Sequence, residues 1–330
     1  MPIQSATESN WIAFPNLDWK FNLDDSIDLF GLNIKFYGLL IAIGFSLAIL
    51  YGVKRAKHFD IDPDRMIDVA LIVTPLAFIG ARLYYVFFSG DPSYFENPLT
   101  ILMVWKGGLG IYGGVITAFG VGILACKLRK VNLWAMFDVT ALGFLIGQCI
   151  GRWGNFFNQE AFGGNTNLPW AMTGDVIQSG VNGAGYDPAL PVHPTFLYES
   201  LWNAVGFVAL HFLSKKRQYD GQMALGYVAW YGLGRTFIEG LRMDSLYWGS
   251  FRVSQVLAAA TCFVAVAILL FMAFRKHDRA KLYSNVMAET LAAEAAAKAE
   301  KKTCPCKKAA EEAPIEEAPA EEEKQETTEE

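Results

Sequence analysis

Seven apolar stretches, each long enough to cross a lipid bilayer as a helix, constrain the fold of this chain more than any other feature. A bilayer core about 30 Å thick is spanned by roughly 20 apolar residues in a helix. Of the 330 residues, 53% are hydrophobic and only 18% are charged, which excludes an ordinary soluble domain. We therefore predict an all-α, polytopic membrane protein with seven transmembrane helices within residues 37–275. The stretches are 37–53, 67–88, 109–126, 133–150, 195–213, 221–238 and 253–274.

Basic residues alternate between the predicted loops, and this alternation predicts the orientation of the helices. The segments after the first, third, fifth and seventh stretches are rich in lysine and arginine, which marks cytoplasmic loops. The acidic segment 1–36 and the long, turn-rich segment 151–194 then face outward, the latter as an extracytoplasmic cap. We expect the N-terminus outside and the C-terminus in the cytoplasm. The basic residues are Lys54, Arg55, Lys57 and Arg65; Lys127, Arg129 and Lys130; Lys215, Lys216 and Arg217; and Arg275, Lys276 and Arg279.

The last segment, residues 276–330, has a different composition from the rest of the chain. It is rich in Ala, Glu and Lys and then in Pro and Glu, with too few apolar residues to form a core. We predict a cytoplasmic, acidic and largely disordered tail. The formal net charge of -5 is set mostly by this tail, so it indicates little about the substrate.

Polar residues at the end of the fourth stretch lie where lipid does not tolerate an unpaired charge. A charge at the bilayer centre costs about 2.5–3.5 kcal/mol on insertion scales, so it needs a partner or a function. Gln148, Arg152 and Asn155 are spaced by four and three residues and share one helical face. This face is either a binding surface or a packing seam with an arginine that reaches the interface.

A second polar group ends the sixth stretch. Arg235, Glu239 and Arg242 are also spaced by four and three residues, so one carboxylate can hold two guanidinium groups. The positive charge left over suits phosphate, because the planar guanidinium donates two parallel hydrogen bonds. The alternative is an ion-pair cluster that only stabilises a corner between helices.

Four further residues are candidates on weaker grounds. Arg82 lies inside the second stretch, while Tyr37 and Tyr112 lie beside glycines near predicted interfaces, where tyrosine is also common as an anchor. His193 precedes Pro194 at the start of the fifth stretch and is either a general base or a structural residue.

The segment 151–163, Gly-Arg-Trp-Gly-Asn-Phe-Phe-Asn-Gln-Glu-Ala-Phe-Gly, resembles the signature of the bacterial phosphatidylglycerol:prolipoprotein diacylglyceryl transferase family. Other segments resemble blocks of that family in the same order, and the resemblance covers about residues 30–275. Many relatives carry a histidine where this chain has Tyr112, so a histidine base is excluded at that position. The other segments are Tyr37-Gly38, residues 80–83, the glycine pairs at 107–108 and 113–114, residues 193–199, and Gly234-Arg235 through Glu239 to Arg242.

The resemblance implies an enzyme of the bacterial plasma membrane whose active site faces the outer leaflet. It would move a diacylglyceryl group from phosphatidylglycerol to the lipobox cysteine thiol of a prolipoprotein signal peptide, forming a thioether and releasing glycerol phosphate. The proton acceptor stays open among His193, ranked first, Tyr112, Glu239 and the phosphate itself. The predicted catalytic residues are His193, Arg235, Glu239 and Tyr112. The predicted substrate-binding residues are Arg152, Asn155, Glu160, Gly163, Tyr37, Arg242 and Arg82.

Three other functions compete with the transferase. A lipid or small-anion transporter would also use glycine-rich helices and intramembrane arginines, but no internal repeat is visible. A retinal-type receptor needs a lysine in the last helix, and residues 253–274 contain none. A membrane scaffold would use the arginines only for packing. We predict no cofactor, no metal and no nucleic-acid partner; the expected partners are the two substrates and the bilayer.

Overall fold

The computed structural model describes residues 11–23, 26–29, 32–103, 107–181, 185–243, 247–248 and 251–277, together with 292 and 296. By its contacts the chain divides into residues 1–284 and 285–330. Nearly all of the predicted acidic tail lies outside the described residues, so its prediction stays open.

Long helices dominate the described residues, and each predicted apolar stretch falls within one of them, apart from at most two residues at one end. Six helices are long and apolar enough to cross a membrane, which confirms a mostly helical, multi-pass architecture. The remaining long helix, α8, has 18 residues, and its polar residues include Arg235 and Glu239. The helices are α1 (Phe36–Arg55), α2 (Pro63–Phe88), α3 (Ser93–Glu96), α4 (Ile111–Leu128), α5 (Leu133–Asn158), α6 (Asp175–Gln178), α7 (Thr195–Ser214), α8 (Gln222–Glu239) and α9 (Val253–Ala273).

Helix α5 differs from its predicted stretch because it continues for two more turns, to Asn158. Its start is fixed by Asn132, whose side chain accepts hydrogen bonds from the amides of Trp134 and Ala135. It ends where Gln159 adopts a left-handed conformation, with φ of 47°. Arg152 and Asn155 therefore lie on a regular helix, and the irregular segment begins after residue 158.

The central helix of the bundle is α5, which packs against α1, α7 and α8. Helices α2 and α4 form a close pair, and α9 packs on α8. Leu142 and Leu145 of α5 are fully buried in the main apolar cluster. The carboxylate of Asp138, also fully buried, accepts hydrogen bonds from the amides of Gly221 and Ala224 and so fixes the start of α8 against α5.

Short strands, which the sequence analysis did not predict, cover one end of the bundle. The first strand pairs antiparallel with the second and the fifth, so part of the N-terminal segment joins residues after α5 in one sheet. Ile12, Met172 and Val192 are buried in a small apolar core beneath it. The strands are β1 (Trp11–Phe14), β2 (Trp19–Asn22), β3 (Ser26–Leu29), β4 (Leu32–Lys35), β5 (Thr173–Gly174), β6 (Tyr247–Trp248) and β7 (Phe251–Arg252).

Candidate functional site

A buried carboxylate, Glu199 of α7, joins three arginines from two separate segments of the chain. One oxygen, Oε2, lies 2.5 Å from a terminal nitrogen of Arg152 on α5. The other, Oε1, lies 3.1 Å from Arg235 on α8 and 3.2 Å from Arg242, just beyond α8. The two arginine-bearing segments singled out in the sequence therefore meet at one carboxylate; we call these residues, with Glu239, the Glu199 cluster.

Glu239 completes the Glu199 cluster from the end of α8. Its Oε2 lies 2.6 Å from Arg235 but 4.0 Å from Arg242, so it holds the first arginine much more closely than the second. Helical spacing predicted that Glu239 would hold both arginines, and it lies within ion-pair distance of both, while Glu199 lies closer to Arg242 than Glu239 does. Three guanidinium groups and two carboxylates leave one formal positive charge, which favours binding of an anion.

The residues of the cluster differ in their access to the surroundings. The side chains of Arg152 and Arg235 are 21% and 18% exposed, whereas that of Arg242 is 9% exposed. Glu199 and Glu239 are almost completely covered. Arg152 and Arg235 are therefore the two cations that a ligand can reach, and the rest of the cluster supports them.

A chain of polar contacts extends from Arg152 to the start of α1. A terminal nitrogen of Arg152 lies 3.4 Å from Oδ1 of Asn155, whose amide donates to Glu160 at 2.9 Å. The ring of Tyr37 packs on Gly154, where an added Cβ would come within 2.5 Å of a ring carbon. Its hydroxyl is close enough to Glu160 and Arg152 to interact electrostatically. The structure thus places four predicted site residues side by side.

Gly163 lies at a junction of three chain segments that leaves no space for a side chain. An added Cβ would lie 2.8 Å from Cβ of His193 and 2.9 Å from the carbonyl oxygen of Leu241. The amide of Gly163 donates to the carbonyl of His193, and that of Gly164 donates to the carbonyl of Leu241. Gly163 and Gly164 therefore tie the irregular segment to His193 and to Leu241, the residue next to Arg242.

His193 is held by a hydrogen-bonded pair of aromatic side chains. Its Nδ1 lies 3.1 Å from the hydroxyl of Tyr198, which accepts a hydrogen bond from the indole of Trp170 at 2.8 Å. Burial lowers the pKa of His193 from its ordinary value, because the charged form is poorly solvated. The imidazole is therefore neutral near pH 7, as a proton acceptor must be.

Two predicted site residues, Arg82 and Tyr112, lie on the α2–α4 pair. Tyr112 is 64% exposed, and its ring centre lies 6.3 Å from that of Tyr84. Within the described part of the chain, neither Arg82 nor Tyr112 forms a hydrogen bond or an ion pair with the Glu199 cluster. The guanidinium of Arg82 holds the loop before α4, because it donates at 2.7–2.8 Å to the carbonyls of Thr100, Ile101, Gly107 and Gly108.

Sequence reasoning missed Glu199 as a site residue. The sequence does contain a signal for Glu199, because a carboxylate one turn into the apolar stretch 195–213 requires a partner as much as an arginine does. A single helix pattern could not identify that partner, because Arg152 lies 47 residues earlier and Arg235 lies 36 residues later.

A second feature missed from sequence is a reciprocal contact between two tryptophans on α7 and α8. The indole of Trp202 donates to the carbonyl of Trp230, and that of Trp230 donates to the carbonyl of Trp202, both at 2.9 Å. The rings stack with centres 4.4 Å apart. Gly206 and Gly234 make space for the indoles, since a Cβ on either would overlap the opposite ring. Because Arg235 follows Gly234 directly, this contact fixes its position against α7.

Comparison with known proteins identifies one family over most of the chain. A family model described as prolipoprotein diacylglyceryl transferase matches residues 25–272. A protein of Listeria monocytogenes serotype 4b named phosphatidylglycerol–prolipoprotein diacylglyceryl transferase is 38% identical over 247 residues, covering 74% of this chain and 88% of the relative. Relatives of the same name from Clostridioides difficile and Clostridium novyi are 41% identical, over 70% and 75% of this chain and 87% and 94% of their own.

Proposed function

The chain belongs to the prolipoprotein diacylglyceryl transferase family, and on this premise we propose that the Glu199 cluster is its active site. The enzyme transfers a diacylglyceryl group from phosphatidylglycerol to a prolipoprotein, the activity for which its relatives are named. The alternative prediction of a transporter has no support from these relatives. The resemblance drawn from residues 151–163 is confirmed.

The headgroup phosphate of phosphatidylglycerol binds, in this proposal, to Arg152 and Arg235. The observation that carries the proposal is that these arginines, from α5 and α8, share the carboxylate of Glu199 while remaining the accessible cations of the cluster. Charge-assisted hydrogen bonds from two guanidinium groups suit a phosphate diester. Glu199 and Glu239 keep both guanidinium groups in position, and buried Arg242 helps to hold Glu199.

The reaction is a substitution at the carbon of the diacylglyceryl group that is bonded to the phosphate ester oxygen. The lipobox cysteine sulfur forms a bond to that carbon, the carbon–oxygen bond breaks, and glycerol phosphate leaves with the electron pair. Negative charge accumulates on the departing phosphate in the transition state. Arg152 and Arg235 lower the barrier by stabilising this charge, as preorganised donors commonly do. No covalent intermediate on the enzyme is needed.

The thiol proton needs an acceptor, because a free cysteine with a pKa near 8.5 is only a few per cent thiolate at neutral pH. His193 remains our first choice, since its imidazole is neutral at that pH and its backbone bonds to Gly163 beside Arg242. Glu239 is covered and paired with Arg235, and Tyr112 lies on the α2–α4 pair, so both rank lower. The substrate phosphate is the fourth candidate.

In the proposed membrane arrangement, α8 also crosses the bilayer, and together with the six more apolar helices it gives seven spans. At 1.5 Å per residue its 18 residues reach about 27 Å, close to the thickness of the bilayer core. The basic loops favour the N-terminus and the Glu199 cluster on the outer side of a bacterial plasma membrane. Residues 1–36, 37–275 with the cap around 151–194, and 276–330 are then the outer segment, the catalytic domain and the cytoplasmic tail.

The proposal is tested with purified protein, labelled phosphatidylglycerol and a peptide that contains a lipobox cysteine. We expect labelled peptide and glycerol phosphate in equal amounts from the wild-type enzyme. Arg152→Ala and Arg235→Ala should each lower kcat/KM by about a hundredfold or more, the scale of removing one preorganised charge donor.

Arg65→Ala is the matched control, since Arg65 is an exposed arginine at the first turn of α2, outside the Glu199 cluster. It should leave turnover unchanged. If Arg152→Ala formed the thioether as fast as Arg65→Ala, the assignment of the headgroup site would be wrong.

A further inference from the structure

A second cluster of cations lies at the far end of the bundle from the Glu199 cluster. Arg55 ends α1, whereas Tyr37, near the Glu199 cluster, lies at its start; the 18 intervening helical steps amount to about 27 Å. The end of α7 meets the end of α1 here, because a terminal nitrogen of Arg55 donates to the hydroxyl of Ser214 at 3.0 Å. The two clusters therefore face opposite leaflets.

The half-buried guanidinium of Arg55 has only neutral neighbours as partners. Besides Ser214, it lies beside the hydroxyl of Tyr51 and 6.0 Å from the ring centre of Phe59. Its Nε is enclosed and has no hydrogen-bond acceptor within the described part of the chain. No described carboxylate pairs with Arg55, although a partly desolvated cation is costly without an opposite charge.

Further cations near Arg55 increase the local excess of positive charge. Lys215 lies close enough to act electrostatically on both His58 and His211, and Arg55 acts on the same two rings. Lys54 and Lys57 add two exposed cations on the same turn of chain. The described carboxylates closest along the chain are engaged elsewhere, since Asp60 and Asp220 pair with Arg217.

We propose that Arg55, Lys54, Lys57 and Lys215 form a binding site for the phosphate of an anionic phospholipid in the leaflet opposite the reaction. A phosphate diester would supply the missing counter-ion and an acceptor for Nε of Arg55. Anionic headgroups are attracted to basic residues beside spanning helices, and here the half-buried arginine gives that attraction a fixed position. The bound lipid is not consumed, because the Glu199 cluster lies a full helix length away.

The site is tested by counting the phosphatidylglycerol molecules that stay on the protein after release from mixed phosphatidylglycerol and phosphatidylcholine nanodiscs, measured by native mass spectrometry. The double variant Arg55→Gln/Lys215→Gln should retain one anionic lipid fewer than the wild type and bind it about tenfold more weakly or worse. The conservative variant Arg55→Lys should retain it in part and thereby show that the fold is intact.

Lys127→Gln/Lys130→Gln is the matched control, because both lysines are exposed beside Arg129, which pairs with Asp68 near the start of α2. It removes the same charge and should retain every lipid. An equal loss in both double variants would mean general surface attraction and would overturn the proposal. Displacement of the lipid by millimolar inorganic phosphate would instead identify a free-anion site. The outcome is independent of the headgroup site, since Arg152→Ala should remove a different lipid and leave this one bound.

Discussion

Replacing Glu199 with glutamine isolates the charge that holds the three arginines together. The glutamine keeps the size of the side chain and one acceptor oxygen, but it turns an amide N–H₂ toward guanidinium groups that now lie 2.5–3.2 Å from a carboxylate. Removing one partner of a buried ion pair costs about 3–5 kcal/mol. Since folded proteins are stable by about 5–15 kcal/mol, the loss should be a large fraction of the total.

The assay is thermal unfolding in detergent, with and without added phosphatidylglycerol. We expect Glu199→Gln to unfold at a clearly lower temperature than the wild type. Because the formal charge of the cluster rises from one to two, added phosphatidylglycerol should stabilise the variant more than the wild type. Glu96→Gln, at an exposed glutamate, is the control and should change stability by no more than about 0.5 kcal/mol. If both variants unfolded alike, Glu199 would not be the centre of the cluster.

Three further predictions concern residues around the cluster. Gly163→Ala should abolish most thioether formation, because its Cβ would collide with His193 and the carbonyl of Leu241. The variant should remain helical by circular dichroism, and normal turnover would show that this position does accommodate a side chain. Trp202→Phe and Trp230→Phe should each lower the free energy of unfolding by about 0.5–1.5 kcal/mol, because each removes one hydrogen bond of the reciprocal pair. The effects of the two substitutions should not add in the double variant, and simple additivity would refute the coupling of the two tryptophans. If His193 accepts the thiol proton, kcat/KM should rise with pH through the lowered pKa of His193 and then level off. His193→Gln should remove this rise at low pH, and an unchanged pH profile would exclude His193 as the proton acceptor.

The helices were predictable because the signal for a membrane span is local. A window of apolar residues has to be long enough for the bilayer and needs no knowledge of distant residues. The end of α5 was harder to predict: the apolar stretch ends near residue 150, yet the helix continues to Asn158. Its last turns pack beneath the sheet, where Phe156 is buried, so contacts distant in sequence extend the helix.

The arrangement of the site was only partly predictable. Helical spacing correctly indicated the contact of Glu239 with Arg235. Spacing within one helix could not reveal that Glu199 of α7 lies against two arginines at the end of α8. That contact depends on how α7 and α8 pack, which the stacked Trp202 and Trp230 determine. The pairing of β1 with β5 could not be predicted for a similar reason, since residues 173–174 lie far from β1 in sequence.

The junction at Gly163 limits how the two substrates can arrive. Amides of adjacent residues bond to separate segments, one before α7 and one after α8, so this part of the covering layer cannot swing aside without pulling Arg242 with it. Opening of the covering layer directly above the Glu199 cluster is therefore disfavoured at Gly163. Lipid and peptide would approach sideways, between helices and within the plane of the bilayer, where both already reside.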